Sequence, residues 1–285
     1  MKKHLPTLAV LAAGVSWGVI SLFVRSLYAA GLVPLQISCI RLVTAALCFF
    51  PLLALRDPKK LRIRLRDLWM FAGTGIVSVV FFNVLYFYAT VHSQASVAVV
   101  LLYSSPAFVL LLSALIYKEK ITRRKLLSLG LTVLGCALVS GALGGDYRLS
   151  AAVLLAGLGS GFFYALYTIF ARAALRRYDS MTVTAYTFLL GALASVPMGS
   201  VGGIASVLAA RPALAWSCLA IGVVSTALPY VLYTWGLQRL ESTRAAILAA
   251  SEPLVGALLG ILAYGEPHGP LKLLGIALIL AAMSV

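Results

Sequence analysis

A chain of 285 residues that is 62% hydrophobic and 11% charged, with mean hydropathy +1.01, is too apolar for a soluble domain. Soluble domains run at roughly 45–50% apolar and 25% charged residues. The formal net charge of +15 would suggest a nucleic-acid partner in a soluble chain, but the basic residues lie in short clusters between apolar runs. That is how membrane flanks are built, and it excludes nucleic acid as a partner.

About 20 apolar residues make one bilayer crossing, which predicts ten spans at roughly 5–28, 34–55, 67–90, 94–117, 124–141, 149–172, 180–199, 213–237, 242–264 and 269–285. The first, beginning at Leu5 after two lysines, is too long for a signal peptide and reads as a retained helix. Backbone groups in lipid must be satisfied within the segment and period-two alternation is missing, so the fold class is all-α integral membrane. Of 23 basic residues, 18 fall on one side: the Lys2–Lys3 flank, 56–66, 118–125, 172–177, and Arg239 with Arg244. The other side has Arg25, Arg148, Arg211 and Lys272, while Arg41 lies inside the second span. This asymmetry places both termini in the cytoplasm. The last run reaches Val285, so a short cytoplasmic tail beyond it is expected.

The chain repeats itself at a constant shift of 147 residues. Ser104, Pro106, Tyr117 and Glu119 return as Ser251, Pro253, Tyr264 and Glu266; Arg25, Trp69, Tyr86 and Lys125 return as Arg172, Trp216, Tyr233 and Lys272. No gap is needed, which reads as a duplicated unit, with copies over 1–141 and 149–285. Five spans per copy is an odd number, so the second copy enters the membrane from the opposite face. The expectation is two five-helix inverted repeats about an in-plane pseudo-two-fold axis.

Pro106 and Pro253 fall at the same mid-bilayer depth in both copies, where a missing backbone donor frees a carbonyl. They are candidate hinges, or kinks eased by neighbouring serines. Trp17, Phe81, Phe82, Tyr86 and Tyr103 in the first copy and Phe163, Tyr164, Tyr167, Tyr230 and Tyr233 in the second gather at matching depths, either as ordinary helix packing residue by residue or, taken together, as a midplane pocket for a partly apolar substrate. Glu252 is the acidic residue deep inside a span, where a carboxylate must be protonated, paired or wetted. Binding a substrate ammonium, carrying a proton, and pairing with Arg41 all remain open for it. Asn83 is a further substrate-contact candidate, or an interhelical hydrogen bonder. Gly14–Gly18, Gly157–Gly161 and Gly256–Gly260 have the GxxxG spacing of close helix packing.

The four cysteines share no metal spacing, His4, His92 and His268 lie at or outside span ends, and no GxxxxGK[ST] loop is present. Catalysis, metal and cofactor are therefore not expected.

Several of these residues resemble one family as an ordered set: Ser16-Trp17-Gly18, Arg41 after the loop containing Pro34, the mid-helix prolines with Glu252, Glu119, and Gly265-Glu266. The chain is similar to the drug/metabolite transporter superfamily, to its ten-helix members with two EamA-type repeats, and most to the YddG type of amino-acid exporter. Phe163-Tyr164 departs from the Ser-Trp often found at the start of the second repeat. The resemblance implies ATP-independent export of small metabolites, commonly amino acids, from the bacterial inner membrane. The expectation is an exporter of amino acids, aromatic or large neutral ones, with lipid around it, working as a monomer or homodimer. Its cavity is expected among the first, third, fourth, sixth, eighth and ninth spans, with the fifth and tenth at the periphery. Efflux of hydrophobic cations with Glu252 as counter-ion is the alternative, and a membrane enzyme or sensor without flux is the alternative from another class.

Overall fold

The structure, a computed structural model, describes residues 4–93, 95–142, 150–265 and 269–284, and all regular structure among them is helical. Seven helices are long and apolar enough to cross a membrane: α1 (Leu5–Ala29), α2 (Pro34–Arg56), α3 (Leu65–His92), α4 (Val97–Tyr117), α6 (Ala151–Ala174), α9 (Leu214–Leu237) and α10 (Ser242–Ala263). The expected fifth, seventh and tenth spans are α5 (Arg123–Val139), α7 (Ser180–Ser195) and α11 (Pro270–Ser284), of 17, 16 and 15 residues. At a rise of about 1.5 Å per residue these fall short of a hydrocarbon core of about 30 Å. Between α7 and α9 lies α8 (Val201–Ala210), a ten-residue helix with no buried residue, in a stretch expected from sequence to be the loop between two spans.

Local sequence sets the helix starts. Thr122, Ser150 and Asp179 cap α5, α6 and α7 by accepting the backbone N–H three residues on. Pro34 opens α2, where its missing N–H would have had no partner in any case.

The two copies share their irregularities. Helix α3 widens into a π-helix over Gly73–Val80, and α9 does so over Val223–Ala227, within the same stretch of the repeat. Ser78 and Thr226 donate to the carbonyls five residues back that the wide turn exposes, Gly73 O at 2.7 Å and Ile221 O at 2.8 Å. Helix α4 is interrupted at Tyr103–Ser104, and α10 at Ala249–Ala250. Each resumes with its proline in the first turn of the new half-helix, so Pro106 and Pro253 begin helices rather than kink them. A serine at the break bonds a carbonyl three residues back at a matched position in each copy: Ser104 Oγ donates to Leu101 O (2.6 Å) and Ser251 Oγ to Leu248 O (2.9 Å). Both half-helices end in a left-handed residue, Lys118 (φ 57°) and Gly265 (φ 64°). Glu266 lies outside the described residues.

Contacts between the copies are reciprocal. A methyl group on Gly14 would come within 2.0 Å of Ser251 Oγ, and one on Gly161 within 2.5 Å of Ser104 Oγ. Those two contacts exchange under the 147-residue shift, as contacts across a two-fold axis do. Helix α1 of the first copy thus packs on the broken helix α10 of the second, and α6 of the second on α4 of the first. The third glycine pair differs, because a methyl group on Gly256 would meet nothing within 4 Å.

Helices α5 and α11 pack on each other. Gly135 and Gly275 let the two backbones approach: a methyl group on either would come within 2.9 Å of the other's carbonyl oxygen. Their expected place at the periphery is therefore only half right. Both also reach the interior, through Cys136 and Ser140 at the end of α5 and Lys272 in the first turn of α11.

Candidate functional site

A cavity of about 470 Å³ opens beside the break in α10. Its wall is built by Trp17 and Ser21 of α1, Tyr86 of α3, Val99, Leu102 and Tyr103 of α4, Cys136 and Ser140 at the far end of α5, Glu252, Pro253, Gly256 and Ala257 of α10, and Lys272 in the first turn of α11. Glu252 and Lys272 are the charged residues of that wall. The α10 break brings Glu252 there, since interrupting the helix at Ala249–Ala250 turns the first residues of the next half-helix toward the hollow. Gly256, one turn on, leaves room beneath it.

Of the residues singled out from sequence, Trp17, Tyr86, Tyr103, Glu252 and Pro253 line this cavity. The Tyr103 hydroxyl is placed to hydrogen-bond the Glu252 carboxylate. Tyr164 and Tyr230 lie within electrostatic reach of both Glu252 and Arg41. No ion pair among the described residues joins Arg41 to Glu252; Arg41 Nε instead donates to Thr226 Oγ1 in the π-helical turn of α9, at 3.1 Å.

A tight aromatic floor lies under the cavity. Trp17 meets Tyr230 edge-on at 5.3 Å and Tyr233 at 5.6 Å, and Tyr167 meets Tyr230 edge-on at 4.9 Å. Two of the hydroxyls are spent within it: Tyr167 bonds Thr234 at 2.8 Å and Tyr233 bonds Thr168 at 2.7 Å. Pairs of this kind contribute about 0.5–1.5 kcal/mol each beyond burial, so this layer is rigid. Phe82 packs edge-on against Tyr164 at 5.2 Å, and Phe163 stacks on the half-exposed Phe81 at 5.3 Å, outside the cavity wall. Buried Asn83 donates to Val79 O of its own helix at 2.6 Å and faces a separate small hollow beside Ser38 and Ser195.

Beyond this floor, at the opposite end of α5 from Ser140, the helix ends are tied by one carboxylate that the site reading from sequence did not include. Glu119, its side chain 7% exposed, accepts from Ser242 N–H (2.9 Å) and Thr243 Oγ1 (3.3 Å), with Lys125 and Arg172 each at 3.7 Å. Burial pushes its carboxyl up, but the Ser242 bonds and the two cations outweigh burial and hold it below its ordinary value of 4.5. Arg172 also donates to Leu240 O at 2.8 Å, and Tyr117 OH to Ile169 O at 2.6 Å. Thus α4, α5, α6, α9 and α10 are cross-linked at that end. A signal for the cluster did exist: Glu119, Lys125 and Arg172 are all members of repeat pairs. Lys272, Cys136 and Ser140 were missed as cavity residues because each reads locally as a span end or a small buried side chain.

Apolar crossing helices, a duplicated unit with broken helices and an interior cavity holding a carboxylate together describe a membrane transporter. The chain belongs to the EamA-like transporter family, whose model matches residues 5–141 and 151–285. It is 30% identical over 281 residues to an uncharacterized transporter of Archaeoglobus fulgidus, covering 97% of this chain and 94% of that one. It is 28% identical over 225 residues to a probable terminal-alkyne amino-acid exporter of Streptantibioticus cattleyicolor, covering 78% and 74%. Over 130 residues it is 35% identical to the threonine/homoserine exporter RhtA of Escherichia coli K12, covering 44% and 41%.

Proposed function

We propose that the protein exports amino acids, aromatic or large neutral ones, across a bacterial inner membrane as a secondary transporter with ten spans and both termini in the cytoplasm. The observation that carries this reading is the Glu252 carboxylate in a cavity walled by Trp17, Tyr86 and Tyr103. The carboxylate suits a substrate ammonium, the aromatic rings suit an apolar side chain, and Lys272 supplies a second charge for a zwitterion. The exporter names of two relatives and the resemblance to YddG-type proteins support the same substrate class.

The mechanism is alternating access of two inverted halves. The cavity reaches the Ser140 end of α5, while the aromatic floor and the Glu119 cluster close the Lys125 end. The reciprocal Gly14–Ser251 and Gly161–Ser104 contacts support a two-fold exchange between the halves. Tyr103 and Glu252 are then the substrate clamp, Tyr164 and Arg41 its electrostatic backing, and the breaks before Pro106 and Pro253 the places where each half-helix pivots.

Counterflow of labelled phenylalanine, leucine and threonine into proteoliposomes tests this. The wild-type protein should accumulate at least one of them, and Glu252→Gln should lower the rate at least ten-fold. Glu252 among aromatics also fits a hydrophobic cation; dye uptake without amino-acid counterflow would favour that reading, and no flux of either class would overturn both.

A further inference from the structure

The basic end of the molecule holds a second built site, distinct from the cavity. Between α2 and α3 the chain forms a single 3-10 turn, Pro58–Leu61, then runs extended through Arg62 (ψ 109°) and Arg64 (ψ 132°). Its backbone is fixed to the start of α7 and the residues before it. Lys60 O accepts from Thr182 Oγ1 at 2.8 Å, Leu61 O from Tyr186 OH at 2.7 Å, and Arg64 N–H donates to Tyr178 OH at 3.1 Å. Asp67 closes the arrangement by accepting from Tyr178 OH at 2.7 Å and from Arg177. Extended residues alternate sides, so Leu61 and Ile63 turn to the core while Arg62 and Arg64 turn out together, with Arg66 beyond them.

Arg62, Arg64, Arg66 and Arg177 line a hollow of about 380 Å³ whose acidic wall residue, Asp67, is already engaged by Arg177 and Tyr178. Among the described residues the side chains of Arg62, Arg64 and Arg66 have neither a hydrogen bond nor an ion pair. Three guanidinium groups held on a pinned backbone are a preorganised receptor for phosphate oxygens, which they meet two N–H groups at a time.

Arg177 also borders a second hollow, an apolar groove of about 330 Å³ between α3, α4 and α6, walled by Trp69, Met70, Ile116, Tyr117, Ile169 and Phe170. Trp69 and Ile116 are each 54% exposed there, and Arg176 lies over the Tyr117 ring at 5.0 Å on the groove's rim. A cationic hollow that shares a wall residue with an apolar groove, on a helix bundle that sits in lipid, has the two-part shape of a phospholipid. A free phosphate would use the first part and leave the second empty.

We propose that Arg62, Arg64, Arg66 and Arg177 bind the phosphate of one anionic phospholipid whose acyl chain lies in the groove between Trp69, Ile116 and Phe170. The site does not depend on what the protein transports, and its test reads binding. Delipidated protein would be titrated with phosphatidylglycerol, with phosphatidylcholine of the same chain length, and with inorganic phosphate, counting bound lipid by native mass spectrometry. One phosphatidylglycerol should bind at least ten-fold tighter than phosphatidylcholine, with a preference that weakens as salt is raised, and millimolar phosphate should not displace it. The triple variant Arg62→Gln, Arg64→Gln, Arg66→Gln should abolish the preference, and it removes no contact that holds the fold. Ala173→Trp, which fills the groove, should weaken both lipids while leaving the arginines intact. Equal binding of the two lipids, or an unchanged preference in the triple variant, would overturn the proposal. So would full displacement by inorganic phosphate, which would mark a free-anion site.

Discussion

The two broken helices, α4 and α10, are built to one plan and differ where chemistry is needed. Both restart on a serine after the break, both carry a proline in the first turn of the new half-helix, and both end in a left-handed residue. Yet the position of Glu252 in α10 is held by buried Ser105 in α4, and the position of Tyr103 in α4 is held by Ala250 in α10. The phenol comes from one copy and the carboxylate from the other, and they meet at the cavity. The two copies share the frame and differ at these two paired positions, and the differences put one carboxylate and one phenol at the cavity.

Exchanging the two positions would break this comparison most severely. Glu252→Ser makes α10 resemble α4 and removes the cavity's carboxylate; amino-acid counterflow should fall at least ten-fold while the circular dichroism of the purified protein stays helical. Ser105→Glu, the reverse change, buries a carboxylate without a partner and should cost several kcal/mol in a thermal unfolding assay.

The ends of the same helices give the next effect. Glu119→Ala leaves Lys125 and Arg172 without the carboxylate between them and orphans Ser242 N–H, and should destabilise the fold by about 3 kcal/mol, as loss of one partner of a buried pair does. Because the Glu119 carboxyl is held below 4.5 in the folded chain, its contribution is complete above that value. It is lost as pH falls through the lowered folded value, so the unfolding temperature should drop more steeply in acid for the wild type than for Glu119→Gln.

The smallest effect contrasts the two left-handed caps. Lys118 holds a conformation that costs an L-residue about 1–2 kcal/mol, whereas Gly265 holds nearly the same angles freely. Lys118→Gly should raise stability by up to about 1 kcal/mol, and Gly265→Ala should lower it by a similar amount, both read as shifts in the unfolding midpoint.

Much of the frame was legible because lipid leaves the backbone few options and because the 147-residue shift acts as an internal alignment. The seven long apolar helices and the matched positions of the two prolines followed from apolar length and the repeat alone. Side-chain direction did not. Trp17, Tyr86 and Tyr103 were placed with Phe163 and Asn83 on equal terms, since depth in a helix is readable from sequence but rotation about its axis is weakly encoded when every face is apolar. The helix interruptions changed the geometry further. A proline in the first turn of a new half-helix looks, in sequence, like a proline inside a longer one. The inward reach of α5 and α11 escaped for a related reason: most of their leucines are exposed, while a few small residues, Cys136 and Ser140 among them, turn to the cavity.

The most direct test is a structure of the protein with a transported amino acid bound. The ligand should lie in the cavity between Trp17, Tyr86 and Tyr103, with its ammonium within hydrogen-bonding distance of Glu252. A ligand seated elsewhere, or one whose ammonium has no contact with Glu252, would contradict the proposed site.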